Sequence, residues 1–137
     1  MKKFDYFDVT ADIGFYAYGN NLNEAFENAG LAMFNIISNT DNITPDKSIT
    51  FEIESEDYVA LLYDYLEEVL FYHEVEFMLF SEFEVQITDN YSLKAVIKGE
   101  EINWDKHERN CEIKAITFHQ MEVSITDTVQ LKAIVDL

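Results

Sequence analysis

The sequence has one cysteine, one proline, four glycines and only nine lysines and arginines in 137 residues. Each scarcity excludes something. A lone Cys111 cannot support an internal disulfide framework. The opening MKKFDYFDVTAD carries two lysines, but Asp5, Asp8 and Asp12 interrupt it before any apolar leader core develops. A reducing, cytoplasmic setting is the expectation. The most apolar stretches, Tyr58 to Tyr72 and Phe77 to Phe83, are broken by Asp64, Glu67, Glu68 and Glu82, so neither is dry enough to span a bilayer. Gly14, Gly19, Gly30 and Gly99 are too scattered to form a phosphate-cradling loop. Against the nine bases stand 27 Asp and Glu, a net charge of −18. A chain of that sign lacks the basic footprint with which proteins grip DNA, RNA or anionic lipid surfaces.

Apolar side chains are abundant: 48% of residues are hydrophobic and 15% aromatic. That is enough for one core and one domain over residues 1–137, and too much for a disordered chain. No repeat, low-complexity tract or Gly/Ser/Pro linker divides it. The acidity is uneven. Residues 4–93 hold 19 acids and a single base, Lys47, whereas residues 94–137 hold eight acids and six bases. A solvated acidic shell and an acidic docking face for a basic partner both fit this distribution, and salt dependence of association separates them.

Periodicity predicts two helices and a series of short strands. Asn21 is placed as an N-cap with Glu24 at the capping-box position, and Leu22, Ala25, Phe26, Ala29, Met33, Ile36 and Ile37 follow at helical spacing. A second helix is expected to start with Ser55 as N-cap and to run through Leu61, Leu62, Tyr65, Leu66, Val69 and Leu70 to His73. Alternation predicts strands around Ile13–Ala17, Ile49–Ile53 and Phe83–Ile87, then a hairpin at Asp89-Asn90 into Leu93–Ile97. Further strands fit Glu112–Thr117, Met121–Thr126 and Val129–Asp136. The order implies an α+β two-layer sandwich, a mostly antiparallel sheet with two helices packed on one face.

Few residues are placed for chemistry. Ser81 has no glycine elbow, and Cys111 lies between Asn110 and Glu112, neither of which is a cation that would activate a thiol. Both read as structural. His107, Cys111 and His119 carry zinc-compatible donors, but at no zinc-module spacing. His119 is expected at a hairpin corner, and His107 is as readily solvated as bonded. Asp12 stands just before a strand, and Asp136 adjoins Leu137, whose main-chain carboxylate follows a strand directly. The plainer reading makes Asp12 a turn cap and Leu137 simply the last residue. The alternative brings three carboxylates together, an all-oxygen set that suits a hard cation such as Ca²⁺ or Mg²⁺.

Over nearly its full length the chain resembles the archeases. The resemblance is carried by Thr10-Ala11-Asp12-Ile13-Gly14, Ala17-Tyr18-Gly19, Glu24-Ala25-Phe26-Glu27-Asn28-Ala29 and Leu31-Ala32-Met33-Phe34. It continues in Phe80-Ser81-Glu82-Phe83-Glu84-Val85, in Gly99-Glu100 with His107, in Glu112 to His119, and in Ile134-Val135-Asp136-Leu137. One departure is Val9, where the family usually has a histidine before Thr-Ala-Asp. The resemblance implies an archease-like fold and a non-enzymatic helper of the GTP-dependent, RtcB-type RNA-splicing ligase that joins tRNA halves. Such a helper promotes ligase guanylylation and multiple turnover and broadens the nucleoside triphosphates used. It also implies a metal site at Asp12, Asp136 and Leu137 that holds a divalent cation, Ca²⁺ foremost, with Mg²⁺ or Mn²⁺ as alternatives. Two other classes stay open: an acidic general chaperone or adaptor for nucleic-acid-processing enzymes, and, less favoured, a small metal-dependent hydrolase. Oligomeric state is not legible.

Overall fold

The computed structural model describes residues 1–137. In chain order the elements are β1 (Phe4–Val9), β2 (Asp12–Gly19), α1 (Leu22–Ile37), a 3-10 turn (Thr40–Asn42), β3 (Lys47–Glu54) and α2 (Tyr58–Glu76). They continue with β4 (Met78–Ile87), β5 (Ser92–Glu101), β6 (Ala115–Ile125) and β7 (Val129–Asp136). All strand pairs are antiparallel, in two sheets of order β1-β2-β7-β6 and β3-β5-β4. The α+β class and the two helices are as the sequence predicts. The division of the strands into two sheets is new, because alternation reports that a strand has one buried face but not which strand it pairs with.

The helices occupy the buried face of each sheet. α1 packs on β2 and β7 of one sheet and on β4 of the other, while α2 packs on β6 and on the second sheet. A helix flanked on two sides must be apolar nearly all round. Ala25, Phe26, Ala29, Ala32, Met33, Phe34, Ile36 and Ile37 of α1 are all buried accordingly. α2 buries one stripe, Leu61, Leu62, Tyr65, Leu66, Val69 and Leu70. One buried cluster joins these helices to both sheets, from Phe15 to Val135.

α1 also closes the free edge of β4. Glu27 accepts the Val85 N–H and Asn23 accepts the Ile87 N–H, each at 2.9 Å. Four residues of helix advance about 6 Å, close to the repeat of two strand residues, so one helix face matches alternate strand amides. An open edge is thereby covered.

Several boundaries differ from the sequence expectations. Asn21 caps α1 as expected, accepting the Glu24 N–H at 2.9 Å, and Glu24 reaches back to the Asn20 N–H at 3.2 Å. The cap of α2 is Asp57, which accepts the Ala60 N–H at 2.7 Å; Ser55 instead donates its hydroxyl to Asp64 at 2.5 Å. α2 continues past His73 to Glu76 and stops where Phe77 turns left-handed, at φ 53°. β1 carried no alternation signal, because as an edge strand it is only half-buried along its length. β4 begins five residues early: a bulge between Phe80 and Glu82 breaks the two-residue period and lets Met78, Leu79 and Phe80 all bury. The bulge presses the Leu79 carbonyl onto β5, where a Cβ on Gly99 would lie 1.8 Å from it, so only glycine fits. The two strands expected between Glu112 and Thr126 are one, β6, irregular between Thr117 and Glu122, with Gln120 at φ 62°. His119 sits in that mid-strand irregularity rather than at a hairpin corner.

Candidate functional site

Thr10 and Ala11 form a two-residue turn between β1 and β2, closed by the Val9–Asp12 pair. Ala11 adopts φ 64°, a conformation that costs an alanine about 1 kcal/mol. The turn makes Asp12 the first residue of β2. On its other side Asp12 pairs with Asp136, the last residue of β7, and Asp136 pairs with Ala115 of β6. Val9, Asp12, Asp136 and Ala115 therefore form one row across the sheet, with side chains on one face. That face is the outer one, since Ile13 and Val135 in the next row turn to the core. Behind the row the Phe7 ring covers Gly14, where a Cβ would lie 2.1 Å from the ring.

Asp12 is where the local electrostatics are unfavourable. Its carboxyl is held above the ordinary carboxylate range, first by desolvation and then by the Asp136 carboxyl beside it; the Leu137 N–H directed at it pulls the other way. The chain continues from Asp136 to Leu137, whose side chain packs against the core. Asp12 and Asp136 thus stand side by side as two crowded carboxyls on the outer face, with no basic side chain in their row. Val9 stands beside Asp12 in the same row and contributes no donor atom from its side chain.

The other candidates do not assemble. No group of three or more His, Cys, Asp or Glu side chains is placed to hold a metal, and His107, Cys111 and His119 lie apart. His107 is buried, not solvated. Its Nδ1 accepts the Asn103 N–H at 3.0 Å, so Nε2 carries the hydrogen and donates to Glu100 at 3.0 Å. The same Glu100 oxygen accepts the Thr44 N–H at 2.6 Å and the Lys106 ammonium at 2.7 Å. Burial alone would raise the Glu100 carboxyl, but these three donors hold it down to about 2. His119 is exposed beside Gln120, and Ser81 donates its hydroxyl to the Ile43 carbonyl at 2.9 Å.

Sequence reading also missed a cleft of about 420 Å³ between the end of α2 and residues 102–114. Phe77, Trp104, Glu74, Arg109 and Cys111 line part of it. The long irregular connection between β5 and β6 was its only signal in the sequence. That connection ends at the Asp12–Asp136 row, because Lys114 donates its N–H to the Asp136 carbonyl at 2.8 Å.

The Archease protein family (MTH1598/TM1083) matches residues 4–137. A protein archease of Methanothermobacter thermautotrophicus is 51% identical over 120 residues, covering 85% of each chain. One of Sulfurisphaera tokodaii is 44% identical over 118 residues, again covering 85% of each. A solution structure of a Methanobacterium thermoautotrophicum protein superposes with a TM-score of 0.89 at 48% identity over 100% of both chains. The crystal structure of a Thermotoga maritima archease, described as a possible chaperone, matches 96% of this chain and 94% of its own with a TM-score of 0.67, and at 21% identity shows the fold alone. The chain belongs to the archease family.

Proposed function

We propose that this protein is a non-enzymatic activator of a GTP-dependent RNA-splicing ligase. It promotes the ligase's guanylylation and multiple turnover, widens its use of nucleoside triphosphates, and holds a divalent cation through Asp12, Asp136 and Leu137. Membership in the archease family supports the choice of partner. The observation that carries the metal site is the Asp12–Asp136 pair, two carboxyls set side by side by strand register at the cost of raising Asp12. The bound cation supplies positive charge at this edge, with Ca²⁺ the first choice and Mg²⁺ or Mn²⁺ the alternatives. The chain's own residues preset the donors. The Thr10-Ala11 turn fixes Asp12, the β7 pairing fixes Asp136, and Leu137 packs against the core beside them. A net charge of −18 suits approach to a basic enzyme channel rather than direct competition for RNA.

The test is guanylylation and ligation by the ligase of the same organism, with and without this protein, across Mg²⁺, Mn²⁺ and Ca²⁺. Stimulation by the wild type, lost in Asp12→Ala with an unchanged circular dichroism spectrum, is expected. Full stimulation by Asp12→Ala would remove the metal site from the mechanism, and no stimulation by the wild type would remove the ligase. A second reading, an acidic general adaptor, draws on the many acids without an intramolecular partner. It predicts similar, steeply salt-sensitive binding to unrelated basic proteins.

A further inference from the structure

The cleft beside α2 and the adjoining end of that helix combine three features that a purely structural account leaves unexplained. Phe77 is 70% exposed and Trp104 38% exposed, large aromatics left in solvent on a chain that keeps most of its others buried or half-buried. Phe71 and Val75, at 51% and 52%, lie one turn apart on the outer face of the same helix end. Phe77 is also held in the left-handed region, the position where a helix end ordinarily carries glycine. Its main chain is needed there, because its carbonyl accepts the Ile102 N–H at 2.8 Å, but the aromatic side chain is not.

The charges around the cleft point to the kind of surface that would cover it. Glu74 and Glu112 line it, and none of the molecule's ion pairs reaches either one. Glu74 and Glu76 sit in the last turn of α2, against the negative end of the helix dipole, where the fold itself disfavours them. The cation that lines the cleft, Arg109, lies over the Trp104 ring at 4.9 Å and presents that aromatic face rather than pairing with either acid. Cations from outside would relieve these acids, and an apolar side chain would fill the space between Phe77 and Trp104.

Glu112 is two residues from Lys114, whose N–H is bonded to Asp136, so the cleft wall and the carboxylate row are about 7 Å apart along the chain.

We infer that this cleft is the affinity-determining dock for the ligase, and that it takes an apolar side chain of the ligase flanked by lysine or arginine. The inference rests on the activator function proposed above. It divides the labour between neighbouring surfaces: the cleft sets how tightly the two proteins associate, and the Asp12 row sets what association does.

The test measures ligase guanylylation against the concentration of added protein. Phe77→Gly is the leading variant, because glycine fits the left-handed backbone and the fold is retained; Trp104→Ala and Glu74→Lys accompany it. Each is expected to raise the half-saturating concentration by about tenfold, with the full maximal stimulation reached at saturation. Asp12→Ala is expected to show the opposite pattern, with maximal stimulation lost. Wild-type stimulation that Phe77→Gly and Trp104→Ala reproduce at the same half-saturating concentration would overturn the dock and leave the activator function standing. A wild-type protein that sediments as a dimer, converted to monomer by Phe77→Gly with no change in ligase response, would assign the cleft to a second copy and likewise overturn it. No stimulation by the wild type at any ratio would overturn the activator function and the dock together.

Discussion

Tyr65 is fully buried and its hydroxyl has no hydrogen-bond partner, so burial drives its ionisation far up while the group gains nothing from the core. Removing the oxygen keeps the ring contacts with Phe26 and Phe51. Tyr65→Phe is therefore expected to stabilise the fold by about 1 kcal/mol in urea titrations. Asp12 is the functional counterpart. A carboxyl raised in the folded state destabilises that state once pH exceeds its ordinary value of 3.8, because the folded protein must then carry both charges. Asp12→Asn is expected to raise the melting temperature at pH 7 in chelator and to lose the further rise that Ca²⁺ gives the wild type. A Ca²⁺-induced rise equal to that of the wild type would show that the cation binds elsewhere.

Elements meet through side chains as much as through packing. The Glu27 carboxylate and the Asn23 side-chain amide oxygen replace a missing strand partner for β4, and the Asn28 side-chain amide donates to the Tyr18 carbonyl at 2.7 Å, tying α1 to β2. Glu27→Ala leaves the Val85 N–H half-buried without an acceptor and is expected to cost about 1–3 kcal/mol by chemical denaturation. Glu27→Gln, which keeps the acceptor, should recover most of it. Hydropathy periodicity located β3, β5 and β7 because each has one continuous buried face, and α1 because its apolar residues follow a cap at helical spacing. It faltered at β4 and β6, where bulges shift the period in mid-strand, and at β1, where half-exposure removes the contrast. It also placed the α2 cap two residues early, since Ser55 and Asp57 both bear capping oxygens and only the fold commits Ser55 to Asp64.

Across the whole molecule, the Glu100 network fixes residues 102–114 against the 3-10 turn region through Thr44, Lys106 and His107. The network positions both the cleft and the connection into β6, whose first residue, Ala115, pairs with Asp136. A carboxyl lowered to about 2 on folding stabilises the protein fully above its ordinary value of 4.5, and that contribution disappears as pH falls from there through about 2. Glu100→Gln is expected to lose about 2 kcal/mol at pH 7, with the difference from wild type closing toward pH 2 in acid-unfolding curves.

The sequence by itself determined the class of the protein. Its composition set a single apolar core, its charge argued against a direct grip on nucleic acid, and its ordered motifs placed it with the archeases. These properties are local or additive, so they survive without knowing which residues meet. Tertiary structure decided the rest. Register across β2 and β7 turned two aspartates 124 positions apart into neighbours on one face, a relation set by pairing that no window of sequence contains. Burial made His107 a structural anchor rather than a surface group. Packing of a long connection against the end of α2 formed the aromatic cleft, because its walls come from elements that meet only in the folded chain.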